Sequence, residues 1–333
     1  MPQFFALGQV YNLDNREELL SPEQNSKKYR AHIVAAKISV VQRFSCKRNS
    51  KVSSIISEAR FDNRGNNTDW FEYKGNGKVE THNTASYNDS NQVTRYASYN
   101  GGGKLKEMFT YTYDKSGNQV EQDRYKHDPK TPVTKETHIY NDRNNMTETK
   151  VFDKKGNLKS RVEYTYYDDG SHKQTIRYSG KGKVERIWNF DCNPVGAQEA
   201  KKFKDTNKVC IHYETDKDGN QIKVKEEYEG GTGLFSSTTR IVTKIDKNNN
   251  IIDYAWYKLN GKPIWRCSTL YDASGNITEY TIYQAGTPKP FWRTVYTYNS
   301  DNNIVSSVIY KKLKPLPEYT LKWVYNSSVS KAQ

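Results

Sequence analysis

The side chains best suited to chemistry in this sequence are its histidines, its cysteines, and two recurring kinds of short polar tract, one built on Asp and Asn and one on Gly and Lys. The six histidines, His32, His82, His127, His138, His172 and His212, share no ligand spacing and no nucleophile–base spacing, so ordinary surface or half-buried histidines account for them. The sequence holds no G-x-S-x-G, no H-E-x-x-H and no C-x-x-C, and no Ser or Cys sits in a nucleophile's local sequence. Asp216-Lys217-Asp218-Gly219-Asn220 comes nearest to a calcium loop but lacks the full D-x-[DN]-x-[DN]-G pattern and its distant Glu. Gly75-Asn76-Gly77-Lys78, Gly101-Gly102-Gly103-Lys104, Gly180-Lys181-Gly182-Lys183 and Gly230-Gly231-Thr232-Gly233 could suggest a phosphate cradle. None completes G-x-x-x-x-G-K-[ST], and none is followed by a helix signal. The expectation is a non-enzymatic protein without cofactor or metal.

Cys192 and Cys210 bracket residues 193–209, which stand where a Gly/Lys tract is due, so the pair reads as a disulfide pinning an inserted loop. Closing a loop of that size is worth about 3 kcal/mol in the chain-entropy model. Two independent thiols are the alternative. Cys46 and Cys267 lie some eight repeats apart and could meet only if the sheet closed on itself, so they read as unpaired. Trp256, Trp265, Trp292 and Trp323 crowd the last third of the chain, leaving only Trp70 and Trp188 earlier. On a sheet face such residues stack on sugar rings through large apolar area. The plainer reading is that they replace Tyr in a structural ladder.

These tracts are punctuation in a repeat. An aromatic residue followed by an Asp/Asn/Gly turn recurs at Phe61, Tyr87, Tyr113, Tyr140, Tyr166, Phe190, Tyr271, Tyr298 and Tyr325, with Thr215 and Ile245 in the same series, mostly about 26 residues apart. A second series runs through Tyr73, Tyr99, Tyr125, Phe152, Tyr178, Tyr228, Tyr257, Tyr283 and Tyr310. Asp hydrogen-bonds its own following backbone, and Gly or Asn tolerates positive φ, so Tyr113-Asp114-Lys115-Ser116-Gly117-Asn118, Phe152 to Asn157 and Tyr271 to Asn276 are hairpin turns. Between turns lie runs such as Phe109-Thr110-Tyr111-Thr112-Tyr113 and Val162-Glu163-Tyr164-Thr165-Tyr166, whose alternation is that of strands. Each unit is then two strands and two turns, with one turn type on each edge of an antiparallel meander.

Only 34% of the chain is hydrophobic, while 26 of its 333 residues are Tyr. That suits cross-strand aromatic ladders better than a thick aliphatic core. The fold class is therefore all-β: a long meander of about twenty strands, either an open twisted sheet or one coiled into a shell.

The Tyr-Asp-x-x-Gly-Asn turns with aromatic-ended strands resemble the YD-repeat (Rhs-like) proteins of bacteria, and most closely their Lys/Asn-rich relatives in Bacteroidetes, over Phe61 to Tyr325. The resemblance implies a secreted or envelope-associated β-repeat scaffold with no catalytic residues to carry over. Larger Rhs proteins form a shell around a toxin domain; no such C-terminal toxin is apparent here.

Residues 1–60 differ and read as a cap segment, with residues 61–333 as the repeat domain. Leu13 to Leu20 suits a short helix stopped near Pro22, and the aliphatic stretches Ala31 to Phe44 and Val52 to Phe61 read as the first strands. No apolar run approaches a membrane span, and Met1-Pro2-Gln3-Phe4-Phe5 lacks the build of a signal peptide. The chain is then cytoplasmic or has lost its signal, and the resemblance favours a secreted, periplasmic or cell-surface protein. The net charge of +14 and pI near 9.3 would attract polyanions. Acidic and basic residues are interleaved, however, as a solvated surface would also require. The expected function is binding of a glycan or other surface macromolecule through Trp256, Trp265, Trp292 and Trp323. The alternative is binding of a polyanion such as lipopolysaccharide, acidic glycan or, less favoured, nucleic acid along a lysine edge that includes Lys78, Lys104 and Lys183.

Overall fold

The computed structural model describes residues 22–47, 53–190, 206–228, 239–258, 261–283, 287, 289–311 and 319–327. A helix, α1 (Pro22–Ala35), precedes β1 (Ile38–Lys47), β2 (Ser53–Phe61), β3 (Asn67–Tyr73), β4 (Val79–Tyr87), β5 (Val93–Asn100) and β6 (Leu105–Tyr113). There follow β7 (Gln119–Lys126), β8 (Thr134–Tyr140), β9 (Met146–Asp153), β10 (Leu158–Tyr166), β11 (His172–Ser179), β12 (Val184–Phe190) and β13 (Thr206–Thr215). The last are β14 (Gln221–Tyr228), β15 (Thr239–Ile245), β16 (Ile251–Lys258), β17 (Pro263–Tyr271), β18 (Ile277–Tyr283), β19 (Pro290–Tyr298), β20 (Ile304–Lys311) and β21 (Tyr319–Ser327).

One turn shows how the repeat is made. The Asp114 N–H donates to Asn118 O (2.9 Å) and the Gly117 N–H to Asp114 O (3.1 Å), while Gly117 sits at φ 85°. This is a type I turn closed by a left-handed residue, whose bulge appears as the register shift between Thr112 and Tyr113. Asn takes the left-handed position at Asn91, Asn144, Asn249 and Asn302. Asp114 accepts from the Asn118 side chain and backbone, which holds its carboxyl below the usual range. At the bulge, Tyr113 Oη donates to Val93 O (2.7 Å), at the start of the preceding strand. The same latch joins Tyr87 to Asn67, Tyr140 to Gln119, Tyr166 to Met146, Tyr271 to Ile251, Tyr298 to Ile277 and Tyr325 to Ile304. Tyr rather than Phe recurs because its hydroxyl satisfies a carbonyl that the bulge frees, at about 1 kcal/mol per bond. Glycine is compulsory where one turn abuts the preceding unit: a Cβ on Gly101 would lie 2.1 Å from Val79 O, and one on Gly180 2.0 Å from Leu158 O.

The sheet closes. Every strand pairs with its sequence neighbour, and β1 pairs with both β2 and β21, so the 21 strands form a complete ring. An odd-numbered ring cannot be antiparallel throughout. The odd step is taken at β12 and β13, which run parallel over Ile187–Phe190 and Thr206–Val209. Strands about 4.8 Å apart and tilted by about 40° make such a ring roughly 40 Å across, too wide for its own side chains to fill. Of the two alternatives the sequence left, open sheet or shell, the second is realised.

The two walls differ. Ser57, Phe109, Cys267 and Ile309 fall on one wall with the latch tyrosines and are 1% to 4% exposed. The opposite wall buries Ala97, Val224 and Ala255 as fully; we take the latch wall, which α1 lies against, as the concave, inner one. The outer wall carries ion pairs such as Arg266–Asp253 (2.7 Å) and Arg293–Glu279 (2.6 Å), with the guanidiniums lying over Tyr283 and Tyr310. These pairs are half exposed and worth roughly 0.2–1 kcal/mol each. Among the described residues the Asp/Asn turns from Asp62 to Asn303, one excepted, share one rim, the Asx rim, and the Gly/Lys turns share the other, the lysine rim. The turn Asp153–Asn157, although written in the Asp/Asn style, lies on the lysine rim, because it connects β9 to β10.

Two local expectations are corrected. Residues 31–35 belong to α1, not to a strand, and Pro22 starts that helix because proline is suited to a first turn; the helix expected at Leu13 to Leu20 lies outside the described residues. Cys210 forms no disulfide and is 3% exposed. Cys192 lies outside the described residues. A hairpin insertion would have joined antiparallel neighbours, whereas β12 and β13 run parallel. Cys46 on β1 and Cys267 on β17 also form no disulfide, because closure brings β1 to β21 and leaves four strands between them.

A concave aromatic wall as candidate functional site

The register of β13 to β20 places one residue from each strand in a single row along the inner wall. The row reads Tyr213, Lys223, Thr243, Tyr254, Cys267, Ile282, Trp292 and Lys311, each the direct cross-strand partner of the next. At about 4.8 Å per strand it spans roughly 34 Å. Beside it, Trp256 is the direct partner of Trp265. Cys267, Tyr280 and Ile282 form the buried floor, with Tyr254, Trp265, Trp292 and Tyr296 packed around them. Tyr254 and Trp265 meet edge to face at 5.8 Å.

The polar tips of these rings are partly tied down. Trp256 Nε1 donates to Tyr254 Oη (2.9 Å) and Trp292 Nε1 to Thr294 Oγ1 (3.2 Å). Lys223 lies over the Tyr213 ring at 5.9 Å and Lys311 over Trp292 at 5.2 Å, so the row carries a cation near each end. Burial pushes the Tyr254 hydroxyl above its ordinary pKa, which keeps it neutral and able to hydrogen-bond. Beside this floor Trp256 is 42% exposed, and at the end of the row Tyr213 is 58% exposed. The arrangement offers flat apolar faces flanked by fixed hydroxyls and two ammonium groups, which suits stacking against an extended, polyhydroxylated chain.

Three of the four tryptophans singled out in the sequence therefore meet: Trp256, Trp265 and Trp292. Trp323 does not join them. It packs against the cluster of Ile33, Ile38 and Val41, with Phe61 and Tyr325, beneath α1 at the closure seam. Position in the repeat separates the two kinds, since Trp265 and Trp292 each stand six residues before a latch tyrosine, whereas Trp323 stands two before Tyr325. Lys223, Tyr254 and Tyr296 were not legible as site residues, because only the register assembles the row.

Lys78, Lys104 and Lys183 all occupy exposed turns of the lysine rim. Lys74, Lys78 and Lys106 line an open groove of about 950 Å³ between two successive turns, together with Glu72, Glu80 and the Gly101–Gly102 backbone. Asp216 is occupied: Lys244 Nζ lies at 2.5 Å and Asn220 donates to it, which lowers its pKa. Among the described residues no group of three or more His, Cys, Asp or Glu side chains is placed to hold a metal ion.

The strand pairing defines a closed β-repeat barrel with an aromatic row along its latch wall. No protein-family model and no curated sequence matches the chain. Among solved structures it is similar to a chain of the Photorhabdus luminescens Tc holotoxin pore at 10% identity and a TM-score of 0.31, over 80% of this chain and 17% of that one. It is also similar to porin-like proteins from Bacteroides uniformis, at 9% identity and 0.31 over 87% and 96% of the two chains, and from Bacteroides vulgatus, at 10% and 0.18 over 87% and 98%. The chain thus spans under a fifth of the toxin chain, and likenesses of this size carry nothing beyond what the strand topology states.

Proposed function

We propose that this chain is a non-enzymatic repeat scaffold of the YD-repeat (Rhs-like) kind, working outside the cell or in the envelope, and that it holds a glycan strand or similar macromolecule on its inner aromatic wall. The observation that carries the reading is Trp256, a large aromatic 42% exposed on the concave side, set beside Trp265 and Trp292 in a partly buried aromatic floor. The extracellular setting rests on the sequence resemblance. Against embedding in a bilayer stand charged residues on both walls: Glu107 and Arg124 inside, Arg161 and Arg293 outside. A lipid-facing barrel wall needs an unbroken apolar band instead. No helix among the described residues is long and apolar enough to cross a membrane.

The test is retention of the Trp256→Ala protein on immobilised polysaccharides that retain the wild type, with melting temperature measured in parallel. The reading predicts lost retention at unchanged fold, and retained binding contradicts it. The lysine-rim groove supports a second reading, in which a polyanion binds Lys74, Lys78 and Lys106. That mode would weaken steeply with salt, whereas aromatic stacking would not.

A further inference from the structure

The two rims of the barrel are built to the same pitch and carry opposite charge. From β2 to β12 the turns alternate between the rims, so there each rim presents a tip every second strand, about 12 Å apart along the rim. On the Asx rim the tips carry exposed carboxylates at Asp89, Asp142, Asp168, Asp218 and Asp301. Two of that rim's basic side chains are turned along it: Arg64 donates to Asn88 O and Arg143 to Asp168 O, both in the next unit's turn. On the lysine rim the tips carry exposed ammonium groups at Lys78, Lys104, Lys155, Lys183 and Lys262.

The acidic rim is also rigid before anything touches it. Asn66 Nδ2 donates to Asn91 Oδ1 (2.8 Å), Gln92 Nε2 to Gly117 O (2.8 Å), Asn118 Nδ2 to Asn144 Oδ1 (3.0 Å) and Asn276 Nδ2 to Asn302 Oδ1 (3.0 Å). These bonds tie successive turns into a belt, so the carboxylate spacing is held without further ordering cost.

We infer that the barrels stack head to tail, the lysine rim of one copy seated on the Asx rim of the next. A second copy is the partner that matches in charge and in tip spacing along this arc at once. Such a contact is heterologous, so it does not close and it extends to short stacks. The net charge of +14 opposes approach at long range, but at physiological salt the screening length is about 8 Å, and only the facing tips count. Exposed pairs are individually weak, so the association is concentration-dependent and salt-sensitive.

Sedimentation velocity of the whole chain tests this across protein concentration at 0.15 M and 1 M NaCl. The expected result is a weight-average mass that at least doubles from 38.6 kDa at high concentration in 0.15 M salt and returns to the monomer in 1 M. The triple variants Lys78→Glu/Lys104→Glu/Lys183→Glu and Asp142→Lys/Asp168→Lys/Asp301→Lys should each stay monomeric, and their equimolar mixture should recover the heavier species. All six positions are exposed turn residues, and far-ultraviolet circular dichroism confirms folding. A wild type that is monomeric in both salts, or variants that associate as the wild type does, would overturn the inference. A polyanion site on the lysine rim is told apart by the Asp-to-Lys variant, which would keep polyanion binding and lose stacking.

Discussion

Two aromatic patches lie on the same inner wall, and only one is covered. At the seam, Trp323, Tyr325 and Phe61 pack with Val41 and Ile38 beneath Ile33 of α1, which is 1% exposed. Across the wall, Trp265, Trp292, Tyr254 and Tyr296 pack on Cys267, Tyr280 and Ile282 with no described element above them, and Trp256 stands 42% exposed. The residue types are alike, so the difference is topological. The covered patch lies where the last strand meets the first, and its burial contributes to ring closure. The uncovered patch lies in mid-sheet, where backbone pairing already holds the strands, so its apolar surface is not needed for closure and remains available to a ligand.

The comparison breaks most readily at Ile33. Replacing it with Ala should cost about 2–4 kcal/mol, as for other fully buried aliphatic side chains, and should loosen the β1–β21 seam. Hydrogen exchange should then quicken in Ile38–Lys47 and Tyr319–Ser327 before it does elsewhere. Ile282→Ala, at a side chain 6% exposed, should cost somewhat less, about 1–3 kcal/mol, and quicken exchange only in β17 to β19. Equal exchange at the seam in both variants would remove the distinction between the patches.

Alkali should act on both halves alike. Burial pushes the hydroxyls of Tyr113 and Tyr271 up to about 12, one in each half of the ring. Their folded-state values lie above those of the unfolded chain, so their contribution is full below pH 10 and is lost as pH rises towards 12. A single cooperative loss of near-ultraviolet dichroism in that window is expected. In mild acid a smaller loss should come from His138. Its side chain is 2% exposed and donates to or accepts from Thr149 Oγ1 (3.1 Å), and burial lowers its pKa from 6.5. Its contribution is present above pH 6.5 and lost as pH falls below it, and His138→Gln should flatten that limb of the melting curve. The smallest effect on stability belongs to Trp256→Ala, below about 1 kcal/mol, because so exposed a ring leaves little cavity.

Much of the fold was legible in the residues. Asp114, Gly117 and Asn118 specify a bulged hairpin by chemistry that acts within five residues, and Tyr113 marks the end of its strand. Closure was not legible, because it depends on the single parallel step at Ile187–Phe190 and Thr206–Val209, and direction of pairing is not written in either segment. The site was half legible. Trp265 and Trp292 could be matched by their place in the repeat, but joining them to Trp256, Tyr254 and Lys223 needs the register of six strands together. The disulfide expectation assumed antiparallel strands on either side of residues 193–209, and β12 and β13 run parallel instead.

Ring closure is the claim on which the inner wall, the rims and the candidate site all depend. Small-angle X-ray scattering on the dilute protein in 1 M salt tests it directly. A closed ring roughly 40 Å between backbone walls predicts a maximum dimension of about 60 Å and a hollow distance distribution. A maximum dimension of about 100 Å, the width of 21 strands laid open, would contradict it.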